Sequence, residues 1–235
     1  MINGFRVSAV IAAAGMSHRM GSNINKLFYK IEGMPVLAHT LKVFSDCELV
    51  DNIIIVTKSE DICIVKEDIV DRFNISKVSN IISGGSTRQE SIKNALNILD
   101  DSCDIVISHD GARPFLRENT LVDALKNVVY KRAVVVGVPA KDTIKLVSDI
   151  SSLEINLTPK RELLWHAQTP QIFFKDDLVK AYDYADSENI EATDDSSLVE
   201  KIGISVHMVY GTYDNIKITT PDDLVLANML FKKGD

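Results

Sequence analysis

Val7-Ser-Ala-Val-Ile-Ala12 runs directly into Ala13-Ala-Gly-Met-Ser-His-Arg-Met-Gly21, and Lys26 follows five residues later. The first six residues are short, apolar and partly β-branched, which is the signature of a strand buried on both faces. Four more such runs follow: Asn52–Val56, Val78–Ile82, Asp104–Ser108 and Ala133–Val138. Between them the apolar residues fall at helical spacing. Ile92, Ala95, Leu96 and Leu99 share one face, and so do Leu121, Leu125 and Val128. Strands alternating with helices predict an α/β fold, with a mostly parallel twisted sheet covered by helices on both faces.

The stretch after the first strand is then at the address where open α/β sheets bind ligands, beyond the carboxyl ends of the strands. Ala13, Ala14 and Gly15 are small enough for backbone N–H groups to approach an anion, and Arg19 and Lys26 add positive charge. No Gly-Lys-Ser/Thr occurs there, and Gly15 and Gly21 do not make GxGxxG. Those absences count against a P-loop ATPase and a nicotinamide dehydrogenase.

The rhythm changes after Val138. Thr143–Val147 and Glu154–Leu157 read as strands flanking the turn-forming Ser148–Ser152, which predicts a hairpin arm over about 140–160. Its apolar residues have no covering helix, so the arm is expected to pack on another subunit. Helices are expected at Lys175–Ser187 and Asp195–Ile202, with a strand at Ser205–Tyr210. A last helix is expected to have Thr220 as N-cap and Pro221 at its first position. Residues 1–235 contain no repeat or linker and read as one domain.

A formal net charge of −7 argues against nucleic acid or an anionic membrane as partner, because both require a basic face. Cys47, Cys63 and Cys103 lack CxxC spacing, and the N-terminus lacks a signal-peptide pattern, so a cytoplasmic protein is expected. The histidines have no HxxxH spacing, and no covalent nucleophile is implied. Asp194 and Asp195 follow Thr193 at a helix start, where carboxylates favour the dipole; a metal role is secondary.

Six segments carry a resemblance. Ala13-Ala-Gly-x-x-x-Arg-Met-Gly21 with Lys26, Gly84-Gly-x-x-Arg-x-x-Ser91 and His109-Asp-Gly-Ala-Arg-Pro-Phe115 resemble the 2-C-methyl-D-erythritol 4-phosphate cytidylyltransferases. Lys141-Asp-Thr-Ile-Lys145, Trp165-His-Ala-Gln-Thr-Pro-Gln171 and Asp214-Asn-Ile-Lys-Ile-Thr219 are similar too, so the likeness runs from about Val7 to Leu230. It implies a single Rossmann-like nucleotidyltransferase domain that moves CMP from CTP to 2-C-methyl-D-erythritol 4-phosphate and releases pyrophosphate, in the non-mevalonate isoprenoid pathway. It also implies magnesium on the triphosphate and a homodimer formed through the arm.

By the same resemblance, Arg19, Lys26 and Lys217 are catalytic, while Gly85, Arg88 and Ser91 belong to the nucleotide pocket. Asp110 is suited to a ribose hydroxyl, a magnesium ion or substrate hydroxyls, and Arg113 to an anionic substrate or to locking its loop. His109 reads as a packed strand-end residue. Thr143, Arg161, Thr169 and Lys217 complete the implied acceptor site, with Thr143 and Arg161 reaching a neighbouring subunit. One departure is Leu27, where the family usually has glutamine.

Two other readings stand beside this one. A ribitol 5-phosphate cytidylyltransferase would share fold and reaction, but its pattern tends toward His-Asp-Ala-Val-Arg-Pro and lacks the Trp-His-Ala of Trp165–Ala167. A non-catalytic CTP-binding sensor would usually have lost a charged residue, whereas Arg19, Lys26, Asp110 and Lys217 are all present.

Overall fold

The central strand β1, Val7–Ala12, is buried along almost its whole length, and its side chains alternate between two cores. Val7, Ala9 and Ile11 face one apolar cluster and Val10 faces the other. A computed structural model describes residues 1–15 and 25–233 of the chain. Arg19, like the rest of 16–24, lies outside the described residues.

The other sheet strands are β2 (Asn52–Thr57), β3 (Val78–Ser83), β4 (Ile105–Asp110), β5 (Ala133–Pro139), β6 (Trp165–Phe174) and β7 (His207–Tyr210). They form one seven-stranded sheet in the order β7-β5-β6-β4-β1-β2-β3. β1 pairs in parallel with both β2 and β4, and β2 pairs in parallel with β3. The carboxyl ends of these four strands therefore lie side by side. Between β1 and β4 the chain order reverses, which is the point where such sheets open a crevice.

One strand departs from the expected pattern. β6 runs antiparallel to both β4 and β5. Its register with β5 slips between Ala167 and Gln171, and that irregularity turns Thr169 toward the end of β4.

Helices cover both faces, as the alternation requires. α1 (Val36–Asp46) and α3 (Glu118–Lys131) pack on one side. α2 (Arg88–Leu96), α4 (Lys175–Ser187) and α5 (Asp195–Lys201) pack on the other. Leu99 lies beyond the end of α2 but is buried in the same core as Ile92, Ala95 and Leu96. The arm is a short antiparallel pair, Leu146–Val147 with Ile155–Leu157, shorter than the expected Thr143–Val147 and Glu154–Leu157, and Asp149 ties up its turn. Among the described residues no helix is long and apolar enough to cross a membrane.

α6 (Pro221–Lys233) closes the fold, with Leu224 and Ala227 in the larger core. Its start is a reciprocal cap. Thr220 Oγ1 accepts from the Asp223 N–H at 3.4 Å, while Asp223 Oδ2 accepts from the Thr219 and Thr220 N–H groups at 2.7 and 2.8 Å. Removing that carboxylate in Asp223→Ala is expected to cost about 1 kcal/mol. The midpoint in a calorimetric melt should then fall by about 2–4 °C.

Candidate active site

A cavity of about 430 Å³ opens at the carboxyl ends of β1, β2, β3 and β4. At its floor sits Asp110, the last residue of β4 and nearly fully buried. Three cations from three separate segments converge on its carboxylate. Arg88 Nε lies 3.4 Å from Oδ1, and Arg113 Nε and Lys217 Nζ lie 3.2 and 3.0 Å from Oδ2. Burial pushes the Asp110 carboxyl up, but Lys217, Arg88 and Arg113 together outweigh it and hold it well below the usual carboxylate range. Asp110 is therefore an anion at neutral pH.

Each cation is placed by its own support. Arg88 opens α2, whose N-cap is Thr87, accepting from the Glu90 N–H at 3.0 Å. Its guanidinium also donates to Asp195 Oδ1 at 3.0 Å and to Ser108 Oγ at 2.9 Å. Asp195 is buried and receives the Tyr182 hydroxyl at 2.6 Å as well. Arg113 donates from Nη1 to the Asn215 carbonyl at 2.8 Å. Lys217 is held because the next residue, Ile218, is buried and its N–H donates to the Ala112 carbonyl at 2.9 Å. Asp194 and Asp195 thus do different jobs. Asp194 caps α5 by accepting from the Ser197 N–H, and Asp195 neutralises Arg88 from beneath.

The walls are backbone-rich. A Cβ at Gly84 would lie 2.5 Å from the Ala14 Cβ, and one at Gly85 would lie 2.4 Å from the Glu90 Cβ, so both glycines are required by close neighbours. Ser91 is buried at the wall. Its hydroxyl donates to the Thr87 carbonyl at 2.8 Å and accepts from the Gly85 N–H at 3.1 Å, which leaves it one further lone pair. Ala13, Ala14, Gly15 and Lys26 also line the cavity, with Ala14 against Gly84.

Lys26 begins a single 3₁₀ turn, Lys26–Phe28, capped by Asn25. Asn25 Oδ1 accepts from the Leu27 N–H at 3.1 Å, and its amide donates to Asp61 Oδ2 at 3.0 Å. Leu27 is buried in the larger core, which gives the unusual residue a physical role: it anchors the turn that presents Lys26.

Thr169 does not line the cavity. It is buried behind Asp110, accepting from the Asp110 N–H at 3.1 Å and sitting 2.9 Å from His109 Nδ1. The Arg113 carbonyl, 3.4 Å from Nε2, can only accept, so the proton of the neutral ring sits on Nε2 and Nδ1 accepts from the Thr169 hydroxyl. Burial lowers His109 to about 3, so the ring is neutral. Thr143 and Arg161 are exposed at the root of the arm, where Arg161 Nη1 donates to the Lys141 carbonyl at 3.1 Å; neither reaches this cavity.

The residues brought together are thus Ala13, Ala14, Gly15, Lys26, Gly85, Arg88, Ser91, Asp110 and Lys217, with Arg113 on Asp110. Sequence reading passed over Asn25, Lys58, Tyr182 and Ser108, which belong to no motif and carry no spacing signal. The arrangement can hold and orient two anions. Among the described residues no three His, Cys, Asp or Glu side chains form a metal-binding group.

Comparison with known proteins agrees with this geometry. Residues 7–233 match the family model described as 2-C-methyl-D-erythritol 4-phosphate cytidylyltransferase. The chain is 47% identical to the protein of that name from Clostridioides difficile, over 95% of this chain and 92% of the relative. It is 44% identical to that of Caldanaerobacter subterraneus, over 97% and 99%. The crystal structure of 4-diphosphocytidyl-2C-methyl-D-erythritol synthase from Anaerococcus prevotii is similar at a TM-score of 0.87, with 33% identity and 98% of both chains covered.

The buried neutral histidine has a measurable consequence. His109 has an ordinary value of 6.5 when unfolded and about 3 when folded, so the unfolded state binds more protons between those values. Its contribution is full above pH 6.5 and is lost as the pH falls toward 3. His39, also lowered by burial, acts in the same sense. In His109→Gln the loss of stability between pH 6.5 and 4.5 should be shallower, by on the order of 1 kcal/mol per pH unit. Equal slopes in denaturant titrations of the two proteins would exclude a neutral His109.

Proposed function

The chain belongs to the 2-C-methyl-D-erythritol 4-phosphate cytidylyltransferase family, and from that premise we propose a direct in-line transfer between two anions held in the cavity. It is a nucleotidyltransferase of isoprenoid biosynthesis. A phosphate oxygen of 2-C-methyl-D-erythritol 4-phosphate attacks the α-phosphorus of CTP, the new P–O bond forms as the bond to the β-phosphate bridging oxygen breaks, and pyrophosphate leaves. The attacking phosphate is already anionic at neutral pH, so no general base is needed. The difficulty is bringing two anions together, and the observation that carries this reading is the cationic ring on Asp110 beside Lys26. Positioning and electrostatic stabilisation supply the rate.

Lys26 is assigned to the α-phosphoryl oxygens, Arg19 to the leaving phosphates and Lys217 to the junction of donor and acceptor. Gly85 and Ser91 are assigned to the base, with the free lone pair of Ser91 suited to an exocyclic amine. Magnesium is read as arriving with the nucleotide, where it neutralises phosphate charge. Asp110 would be the protein group to hold it, through Oδ1, which among the described residues meets Arg88, whereas Oδ2 meets both Arg113 and Lys217. The three free cysteines fit a reducing cytoplasm.

The acceptor half is assigned to a second copy of the chain. Leu146, Ile150, Leu153, Ile155 and Leu157 are all exposed on the arm, an apolar surface that a partner would cover. Thr143 and Arg161 at its root would then enter the partner's cavity, completing a site that a single chain leaves without them.

Two measurements test this reading. Pyrophosphate release should occur with 2-C-methyl-D-erythritol 4-phosphate and not with ribitol 5-phosphate, and Lys26→Ala should slow it by roughly 10²–10³. Mixing Lys26→Ala with Arg161→Ala under conditions of subunit exchange should restore about a quarter of the parent activity, because random pairing gives half heterodimers with one intact site each. No recovery from two exchanging inactive proteins would return Arg161 to its own chain's site.

A further inference from the structure

The turn that follows β2 belongs to no motif, yet it forms part of the cavity wall. Lys58 leaves the strand end, and Ser59–Asp61 make one 3₁₀ turn. Lys58, Ser59 and Glu60 all line the cavity.

Sheet order dictates where this turn sits. β2 lies between β1 and β3, so its carboxyl end is flanked by the loop after β1 on one side and the Gly84–Thr87 turn on the other. Backbone bonds fix both neighbours to it. The Ala13 N–H donates to the Val56 carbonyl at 2.7 Å, and the Gly84 N–H donates to the Thr57 carbonyl at 2.8 Å. A third tie comes from Asp61, whose carboxylate receives the Asn25 amide at 3.0 Å, next to Lys26. The turn therefore keeps a constant position against both walls.

Lys58 is the cation this turn presents, and its counter-ion is weak. The ammonium lies 4.0 Å from Glu60 Oε1, and the Glu60 side chain is 68% exposed. Glu60 is itself engaged by Ser59 Oγ at 3.2 Å. A solvent-exposed pair at that distance contributes little and yields readily to a stronger anion. Arg88 and Arg113 differ in kind, because each is locked on a buried carboxylate. On β4's side of the loop after β1 the cavity has Lys217, and on β2's side it has Lys58.

We propose that Lys58 is a phosphate-binding residue of this cavity, meeting the polyphosphate of a bound nucleoside triphosphate from the side opposite Lys217. The inference rests on the nucleotide reading of the cavity given above. A lysine suits the task, since an ammonium on a flexible stem can follow a non-bridging oxygen without the fixed geometry a guanidinium needs. On binding, Lys58 exchanges the exposed Glu60 carboxylate for the phosphate oxygens.

The test compares the full-length parent with Lys58→Met, Lys58→Arg and Glu60→Gln, using CTP with magnesium as the probe in calorimetry and in initial rates. Lys58→Met is expected to raise the Kd and KM for CTP roughly tenfold at low salt, the size of one lost charge-assisted hydrogen bond. The acceptor KM and the melting midpoint should stay as in the parent, and the difference should shrink as salt is raised. Lys58→Arg should recover most of the affinity, and Glu60→Gln should bind CTP as tightly as the parent or tighter. A Kd for Lys58→Met within twofold of the parent would overturn the assignment. So would a loss that salt does not reduce, or an equal loss in Glu60→Gln, since either would trace to the shape of the turn. If the parent itself bound no CTP, the nucleotide reading would fall instead.

Discussion

The structure around the cavity depends on one buried carboxylate that gathers three cations. Arg88 follows β3, Arg113 follows β4 and Lys217 follows β7, so the chain has no local reason to bring them together. Asp110, at the point where the strand order reverses, supplies that reason. Unbalanced, three like charges in a partly desolvated crevice would repel each other; around a shared anion they are held a few ångströms apart and already oriented. The site therefore keeps a cationic excess that is preorganised before any ligand arrives, which is the condition for electrostatic stabilisation of a charged transition state.

Holding that ring is costly in desolvation, and the surrounding polar network offsets the cost. A buried ion pair is rarely a large net contribution to stability, but removing one partner leaves an uncompensated charge. Here each partner is braced again. Asp195 and Tyr182 hold Arg88 from below, the Asn215 carbonyl holds Arg113, and the Asn215 amide donates to the Thr169 carbonyl at 2.9 Å. Thr169 in turn fixes the Asp110 backbone and the tautomer of His109. The irregularity in β6 is what delivers Thr169 to this position. An antiparallel strand inside an otherwise parallel sheet is thus tied to the site.

Much of this was legible in the amino-acid order, and the exceptions are instructive. The apolar runs mark six of the seven sheet strands to within about two residues, because buried strands draw on β-branched and other apolar residues. β6 was missed as a strand. Trp165-His-Ala-Gln-Thr-Pro-Gln171 is polar, with a proline in it, since this stretch serves the buried network as much as the ladder. α1 passed unread too, though Val36, Leu37, Thr40, Leu41 and Phe44 share one buried face. The small residues after β1 suggest an anion site, and Ala13, Ala14 and Gly15 do line the cavity, whereas Arg161 in Pro159-Lys-Arg-Glu162 looks like a surface charge run and is singled out only by resemblance. Asp195 read as a helix-start charge because the residue just before it, Asp194, makes the same suggestion. Only the three-dimensional arrangement separates the cap from the buried counter-ion. Leu27 shows the limit from the other side: a departure from a motif has no meaning until its burial is known.

One segment also joins the cavity to the root of the arm. The segment from Gly211 to Thr219 carries Lys217 to Asp110, and the same segment carries Tyr213 to the root of the arm. There the Tyr213 hydroxyl donates to the Pro139 carbonyl at 2.8 Å, and the Lys141 ammonium lies 3.5 Å from the centre of its ring. Arg161 donates to the carbonyl of that same Lys141. A shift of the arm relative to the sheet would therefore pull on the segment that presents Lys217, and a shift of Lys217 would be felt at the root of the arm. For a transfer between two anions, where misplacement by about 1 Å can cost roughly a hundredfold in rate, such coupling has a clear use. It lets an exposed arm be positioned by the same rigid sheet that positions Asp110.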